Sequence, residues 1–425
     1  MLGSLEHSSP VVKDSSVHQA AQACWYRHAN TEELKDFFRW FSWIKDISLS
    51  PEKYYLAHGA LETAKQQWLH HHYSLSAECI LINGKYEASL SQLPDGVLAM
   101  SLGEAQSVFS NLLRVYDIDE QPLAFFNAVC AHDFGVVIYV PEDLQISEVL
   151  SIRHVCFPLS HDDRVIYSPK IVLIIGKRAS CNVHISHHTE RNSGVMESFT
   201  VVNGVTEIFV SEEAEVALTM CSKYVKEERV SWSHTVTVEK QGACSIQYDL
   251  LEDVQGIGWF DNTFSLVGAR AYGEALVSIL SPRNTWMRNR VHHHAESTMS
   301  QQLIKSILHS GSFSFSGGIH ISSQGIFSDA YQKHDTLLLS DQASVTTFPR
   351  LEILTDDVKA SHGATVGPLD RQQMFYMQSR GMTREEAQRK LVQGFLMIQP
   401  SLKFFPKLAA QKQQEDSRGV SVDIM

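Results

Sequence analysis

From about Phe134 to about residue 348 the chain repeats one kind of unit: an alternating apolar run, a polar corner with a small residue, then another alternating run. The unit appears at Ile171 to Val183, Ile208 to Leu218, Val236 to Ile246, Phe264 to Ala275, Ile319 to Phe327 and Leu337 to Val345. A period of two marks strands with one buried face. Spacings are uneven, but hairpin turn signals are few, so folding each strand back on the last does not explain the pattern. A parallel β-helix does, because each coil buries its inner face against its neighbours. A β-sandwich is the competing architecture.

Helical periodicity flanks this core. Asn30 precedes Thr31-Glu32-Glu33-Leu34, and Phe37, Phe38, Phe41 and Ile44 share a face, while Ser50-Pro51-Glu52 has the form of a second helix start. Trp25, Trp40, Trp43 and Trp68 read as core anchors. Near the C-terminus, Asp370 with Gln373 resembles a cap and Gly381 is placed to stop that helix. Thr383-Arg384-Glu385-Glu386 is a capping box, followed by Ala387, Leu391 and Phe395 on one face before Pro400. Residues Gln411 to Gly419 are polar and expected to be mobile. The fold class expected is mainly β with helical termini: an N-terminal helical region at 1–130, a β-helix core at 131–350, and at 351–425 a last β-helix segment, a histidine loop and a C-terminal helical region.

Composition narrows the function. A formal charge of −12 argues against a nucleic-acid footprint, which needs clustered basic residues. The seven cysteines form no C-x-x-C pair, which suits a reducing compartment and excludes zinc-ribbon and ferredoxin patterns. Met1 to Lys13 lacks a signal-peptide pattern and no apolar run could span a bilayer, so a cytoplasmic chain without a membrane segment is expected. Gly84-Lys85 and Gly176-Lys177 lack the rest of a P-loop, so the chain is expected to have no ATP site of its own.

Histidine is abundant, at 21 residues. His70-His71-His72 falls on a helical pattern, where neighbours diverge, and reads as a solvated helix end. On a strand His292 and His294 would share a face and permit a ligand pair, although a structural or surface role is favoured. His187-His188-Thr189-Glu190 has no second pair at a recognised spacing. Asp356-Asp357 cannot easily share a proton as strand neighbours, which favours a structural role closing the last coil. The segment Pro349 to Gly367 joins a strand-like run to a compact polar loop carrying His362, with Gly363 and Gly367 permitting unusual backbone shapes. From the residues alone His362 is as consistent with a loop histidine bonded to backbone as with a ligand.

That segment and its continuation through Leu369-Asp370, Gln373, Phe375-Tyr376 and Ser379-Arg380-Gly381 resemble the end of the SufB/SufD family of iron–sulfur cluster assembly. Gly318-Ile319-His320-Ile321, Asp329-Ala330-Tyr331-Gln332 and Leu337-Leu338-Leu339-Ser340-Asp341 extend the similarity upstream. Ser361-His362-Gly363-Ala364-Thr365 favours the SufD branch, since the SufB branch typically has Glu-His-Glu there. The resemblance implies a right-handed parallel β-helix between helical regions, in a scaffold subunit that is not an enzyme. It implies pairing with a SufB-like subunit through the β-helix and binding of a SufC-like ABC-type ATPase through the C-terminal helices, where Phe375, Tyr376, Arg380, Leu391 and Phe395 are the candidate contacts. A cysteine desulfurase would supply sulfur, and a transient iron–sulfur cluster would form at the SufB interface.

By the same resemblance His362 is a candidate iron ligand of the nascent cluster, and His334 lies where the SufB branch has a cysteine important for assembly. The bland reading of His334 is an exposed corner residue. One departure stands out: many SufD sequences carry cysteine two residues before this histidine, where this chain has Ala360, so no thiolate can come from that position. No motif assigns a flavin site. Strand edges around Leu337 to Ile353 would be covered by SufB, and in the isolated chain by a second copy. The alternative is a β-solenoid enzyme, metal-dependent or acting on carbohydrate, which should present paired carboxylates or a completed metal triad.

Overall fold

From the core onward, successive strands do not pair with one another; each pairs in parallel with the strand of the coil before it and the coil after it. That pattern separates a solenoid from a sandwich. The structure, a computed structural model, describes residues 54–56, 78–108, 121–131, 134–156, 164–189, 200–222, 228–250, 256–280 and 284–396, with single positions 116, 405 and 407.

The chain opens with β1 (Tyr54–Leu56), β2 (Glu78–Ile82), β3 (Lys85–Tyr86), β4 (Leu98–Ser101), α1 (Leu102–Val108) and α2 (Pro122–Ala131). The solenoid follows as β5 (Val136–Val140), β6 (Gln145–Cys156), β7 (Arg164–Tyr167), β8 (Lys170–Ile175), β9 (Ser180–Thr189), β10 (Thr200–Val210) and β11 (Glu215–Ser222). It continues through β12 (Glu228–Val238), β13 (Ala243–Leu250), β14 (Ile257–Leu266), β15 (Tyr272–Leu280), β16 (Asn284–His293) and β17 (Met299–Leu308). The last coils are β18 (Gly311–Ile321), β19 (Asp329–Leu338), β20 (Ala343–Ile353) and β21 (Lys359–Pro368), followed by α3 (Arg371–Ser379) and α4 (Arg384–Leu396).

Two facing sheets result. One runs β20-β18-β16-β14-β12-β10-β8-β5-β4, the other β21-β19-β17-β15-β13-β11-β9-β6-β2-β3. The chain steps from the first sheet to the second at a corner that recurs in each coil. Asp143, Arg178, Glu213, Gln241, Arg270, Ser297 and Phe327 occupy these corners with φ of 55° to 64°. Their backbone N–H groups donate to the next corner along, as from Arg178 to the Glu212 carbonyl at 3.0 Å and from Gln241 to that of Ala269 at 3.0 Å. The corners thus stack as the strands do, and the ladder satisfies polar groups that a sharp bend would otherwise strand.

Alternation fills the space between the sheets. Val230, Trp232, Val236 and Val238 of β12 pack with Phe260 and Phe264 of neighbouring β14 and with Ile246 and Tyr248 of β13 in the other sheet, in one continuous core. Truncating a ring such as that of the fully buried Phe264 to alanine would cost about 3–5 kcal/mol. A Cβ on Gly204 would lie 2.5 Å from the Trp232 ring, so the missing side chain on β10 is what admits the indole.

The start of the chain corrects one expectation. Within the described part of 1–130, helices α1 and α2 are accompanied by strands β1 to β4. β2 adds in parallel to β6, and β4 pairs antiparallel with β5, which covers the first edge of both sheets. The stretch Glu78–Ile82, apolar after its first residue, is too short for its period to tell strand from helix. The helix starts at Asn30 and Ser50, the four tryptophans at 25, 40, 43 and 68, the His70 triplet, Pro400 and the tail at 411–419 lie outside the described residues.

At the other end the caps are as the sequence indicates. Asp370 Oδ1 accepts from the N–H groups of Gln372 at 2.7 Å and Gln373 at 3.3 Å, and Gly381 follows the helix with φ of 93°. Thr383 and Glu386 form the reciprocal box, with Thr383 N–H donating to Glu386 Oε2 at 2.9 Å and Glu386 N–H to Thr383 Oγ1 at 3.2 Å.

Candidate functional site at the open end of the solenoid

Among the described residues β20 and β21 are the terminal strands of their sheets, so there one edge of each is unpaired and no further coil covers their inner faces. Burial changes accordingly. On β19 the inward residues Ala330, Gln332, His334 and Thr336 are buried. Their register partners on β21 are Ala360, His362, Ala364 and Val366, of which the last three are exposed. His362 therefore stands on the core-facing side of the last strand, in solvent because the stack ends there.

This placement corrects the sequence reading. His362 is in a strand, not in a polar loop. Gly363 and Gly367 have ordinary φ and open space where a side chain would be, so neither is required by the backbone. The tight turn is the preceding corner, where the Phe327 N–H donates to the Asp357 carbonyl at 2.6 Å. Among the described residues the His362 ring has no hydrogen bond or ion pair. Ala360 lies one pleat earlier on the same face, half-buried against Ile319, Ile321 and Ala330, and supplies only a methyl group.

Gln332 lies opposite His362 in the register, fully buried, and among the described residues neither its amide oxygen nor its nitrogen has a partner. Gly317 on β18 makes room for it: a Cβ there would lie 2.1 Å from the Gln332 amide nitrogen. His334 is not an exposed corner residue. It is 1% exposed, with Nε2 3.1 Å from Ser306 Oγ and 3.0 Å from Thr336 Oγ1, and Nδ1 3.2 Å from Thr347 Oγ1 on the facing sheet. Burial pushes its pKa down to about 4, so the ring is neutral at pH 7. Pinned at both nitrogens, it braces the floor of the open end.

The other histidines fall elsewhere. His292 and His294 do share a face, with stacked rings 5.8 Å apart, and His320 on β18 joins them 5.4 Å from His292. His293 points inward and bonds to Thr298 Oγ1 at 2.8 Å and Ser300 Oγ at 2.9 Å. On α3, Phe375 is 73% exposed and Tyr376 59%, with the Arg380 guanidinium 5.2 Å from the Tyr376 ring centroid. Leu391 and Phe395 on α4 are half-buried, the latter under Lys305 of β17 at 5.4 Å. Leu338, Leu339 and Pro368 meet Met374 and Phe375 in a cleft of about 440 Å³ between the last coil and the helices.

Residues 158–395 match the family model described as SUF system FeS cluster assembly, SufBD core domain, a span that includes the solenoid from β7, all of α3 and all but the last residue of α4. The chain belongs to the SufBD family. Within it the chain is most like SufD: it is 39% identical to the iron–sulfur cluster assembly protein SufD of Escherichia coli over 112 residues, 26% of each chain. It is 26% identical to the protein of the same name from Bacillus subtilis over 325 residues, covering 72% of this chain and 71% of that one. Protein ABCI7, chloroplastic, from Arabidopsis thaliana is 25% identical over 319 residues, 72% of this chain and 65% of the relative. Among the described residues, no helix is long and apolar enough to cross a membrane.

Proposed function

We propose that this SufBD-family chain is the SufD-type subunit of a SufB–SufC–SufD assembly that builds iron–sulfur clusters in the cytoplasm, and that it does so as a scaffold and not as an enzyme. The observation that carries this reading is the uncovered end of the solenoid. Two unpaired strand edges and an exposed inner face, next to exposed aromatics on α3, are surfaces that need partners.

In this reading a SufB-like subunit lies against β20 and β21 and encloses His362. The nascent cluster is cargo held briefly between the subunits. His362 would offer iron a neutral imidazole, and with Ala360 two residues away the thiolate ligands come from the partner. One nitrogen donor among thiolates suits a cluster that must be released. His334 acts through the fold, holding the end of the two sheets in register. A SufC-like ATPase docks on α3 and α4 through Phe375, Tyr376 and Arg380, with Leu391 and Phe395 fixing α4 to the solenoid. ATP-driven closure of paired ATPase subunits would then move the helices and bias the SufB–SufD interface between two states. Sulfur would arrive from a cysteine desulfurase.

Coexpression with SufB-like and SufC-like partners tests the proposal. An affinity-tagged chain is expected to recover both in a stable complex that forms a cluster anaerobically when iron and a sulfur source are supplied. Recovery of neither partner would overturn it.

A further inference from the structure

Near the start of the solenoid the inner faces of two adjacent strands turn from apolar to metal-ligating. On β6 the inward series runs Leu150, Ile152, His154, Cys156, and on β9 it runs Val183, Ile185, His187, Thr189. The parallel register sets His154 opposite His187 and Cys156 opposite Thr189. All four are buried, His154 and Cys156 completely. Cys156 Sγ is 3.6 Å from His154 Nε2, and His154 Nδ1 is 3.0 Å from His187 Nδ1. Behind them, His187 Nε2 lies 3.0 Å from Oε1 of Glu228 on β12, which also accepts from Thr189 Oγ1 at 2.5 Å. One donor atom from each of His154, Cys156 and His187 falls within 4.8 Å of the others.

We propose that His154, Cys156 and His187 form a closed internal site for one borderline divalent cation of the zinc class. Two imidazoles and a thiolate match such a metal and not magnesium or calcium. Glu228 fixes the tautomer: with Nε2–H donating to the carboxylate, the His187 Nδ1 lone pair is free, which is the carboxylate–histidine pairing found behind metal-bound imidazoles. Without metal the same atoms form a hydrogen-bond chain, from the Cys156 thiol to His154 Nε2 and from His154 Nδ1–H to His187 Nδ1. Binding replaces the thiol proton: Cys156–SH and M²⁺ give Cys156–S–M⁺ and one released proton. The remaining positive charge then faces the Glu228 carboxylate, so charge inside the core is balanced. Because β6 and β9 are neighbours in one sheet, the ion would clip two adjacent coils together where the solenoid begins, and the His187–Glu228 contact reaches across to β12 of the other sheet. The site is about the chain's own architecture and does not depend on the cargo proposed for His362.

Cobalt(II) is the probe. Full-length protein, expressed or refolded with cobalt or zinc and then freed of surface metal by chelation, is expected to retain about one equivalent per chain until it unfolds. The cobalt form should show a near-ultraviolet thiolate-to-metal charge-transfer band. Cys156→Ala, a small change in a buried site, should abolish the band and the retained metal, and His187→Gln should weaken retention at least about tenfold. His292→Ala, at the surface histidine stack, should change neither. Elemental analysis distinguishes zinc from iron as the ion acquired in cells, and either one, lost with Cys156, supports the site. Wild-type protein that retains under about a tenth of an equivalent after both loading routes overturns the proposal without reference to any variant. So does a Cys156→Ala protein that keeps metal and band.

Discussion

Gln332 and His362 occupy the same position on neighbouring coils, yet the first is fully buried and the second stands in solvent. The difference is the missing next coil. An exposed side chain in such a position can be removed without opening a cavity, since no described residue packs over it. His362→Ala is therefore expected to shift the thermal midpoint by no more than about 1–2 °C, within the range of ordinary surface substitutions. Cluster yield in the reconstituted complex, read anaerobically by visible absorbance and iron content, should fall severalfold. His362→Cys should restore part of it. Wild-type yield from the alanine variant would show that the ring does not touch the cargo.

His334 predicts a pH dependence of stability. Its folded pKa is near 4 against an ordinary 6.5, so as pH falls the unfolded chain takes up the proton first. Its stabilising contribution is therefore complete above about pH 6.5 and is lost progressively toward pH 4. Buried His234 and His293, both pushed down to about 3, act in the same direction. Between pH 7 and 4.5, His334→Asn should lose about 2–3 kcal/mol less stability than wild type, measured by urea denaturation at each pH. Parallel losses in the two proteins would mean that the ring is already solvated.

The parallel solenoid was legible because short alternating runs such as Val236-Thr237-Val238, Phe264-Ser265-Leu266 and Ile319-His320-Ile321 recur at matched register positions in successive coils. The corners were hidden. Arg178, Glu213, Gln241 and Phe327 adopt positive φ without the glycine or asparagine that ordinarily signals it. Four of the six units noted in the sequence span the corner from first sheet to second. Leu337 to Val345 instead spans the return connection between β19 and β20, and the coil at 284–308 lies outside the six units. The sequence around His362 has the look of a loop because Gly363 and Gly367 resemble turn residues, whereas they sit in a terminal strand whose described neighbour is β19 alone. The cluster around Cys156 was invisible for another reason: His154 and His187 are 33 residues apart and meet only through the register of two coils.

Phe375 and Tyr376 provide a test of the ATPase surface that leaves the solenoid alone. Both rings are largely in solvent, whereas the end of α4 and Phe405 are tied to the strands, the latter packing 5.7 Å from the Tyr272 ring. Cutting the chain after Pro368 would expose that packing as well, so point changes are cleaner. Phe375→Ala with Tyr376→Ala should reduce capture of the SufC-like subunit at least about tenfold, as expected of aromatic anchors at an interface, with the circular dichroism melt unchanged. Full capture by the double variant would place the ATPase elsewhere.

Val366 tests the solenoid edge. It is 47% exposed on the inner side of β21, and Phe348 and Ile353 of β20 are also exposed, at 56% and 40%. An apolar, unpaired edge of this length pairs with whatever strand is offered, so the isolated chain is expected to dimerise through it and to exchange that copy for SufB when SufB is present. Val366→Asp puts a charge on the last strand without entering the packed core, since among the described residues no coil lies over it. The variant should remain folded, run as a monomer by light scattering, and lose capture of the SufB-like subunit. Retained dimer mass together with retained capture would place both interfaces away from the end of the solenoid, and His362 would then have no partner surface to enclose its cargo.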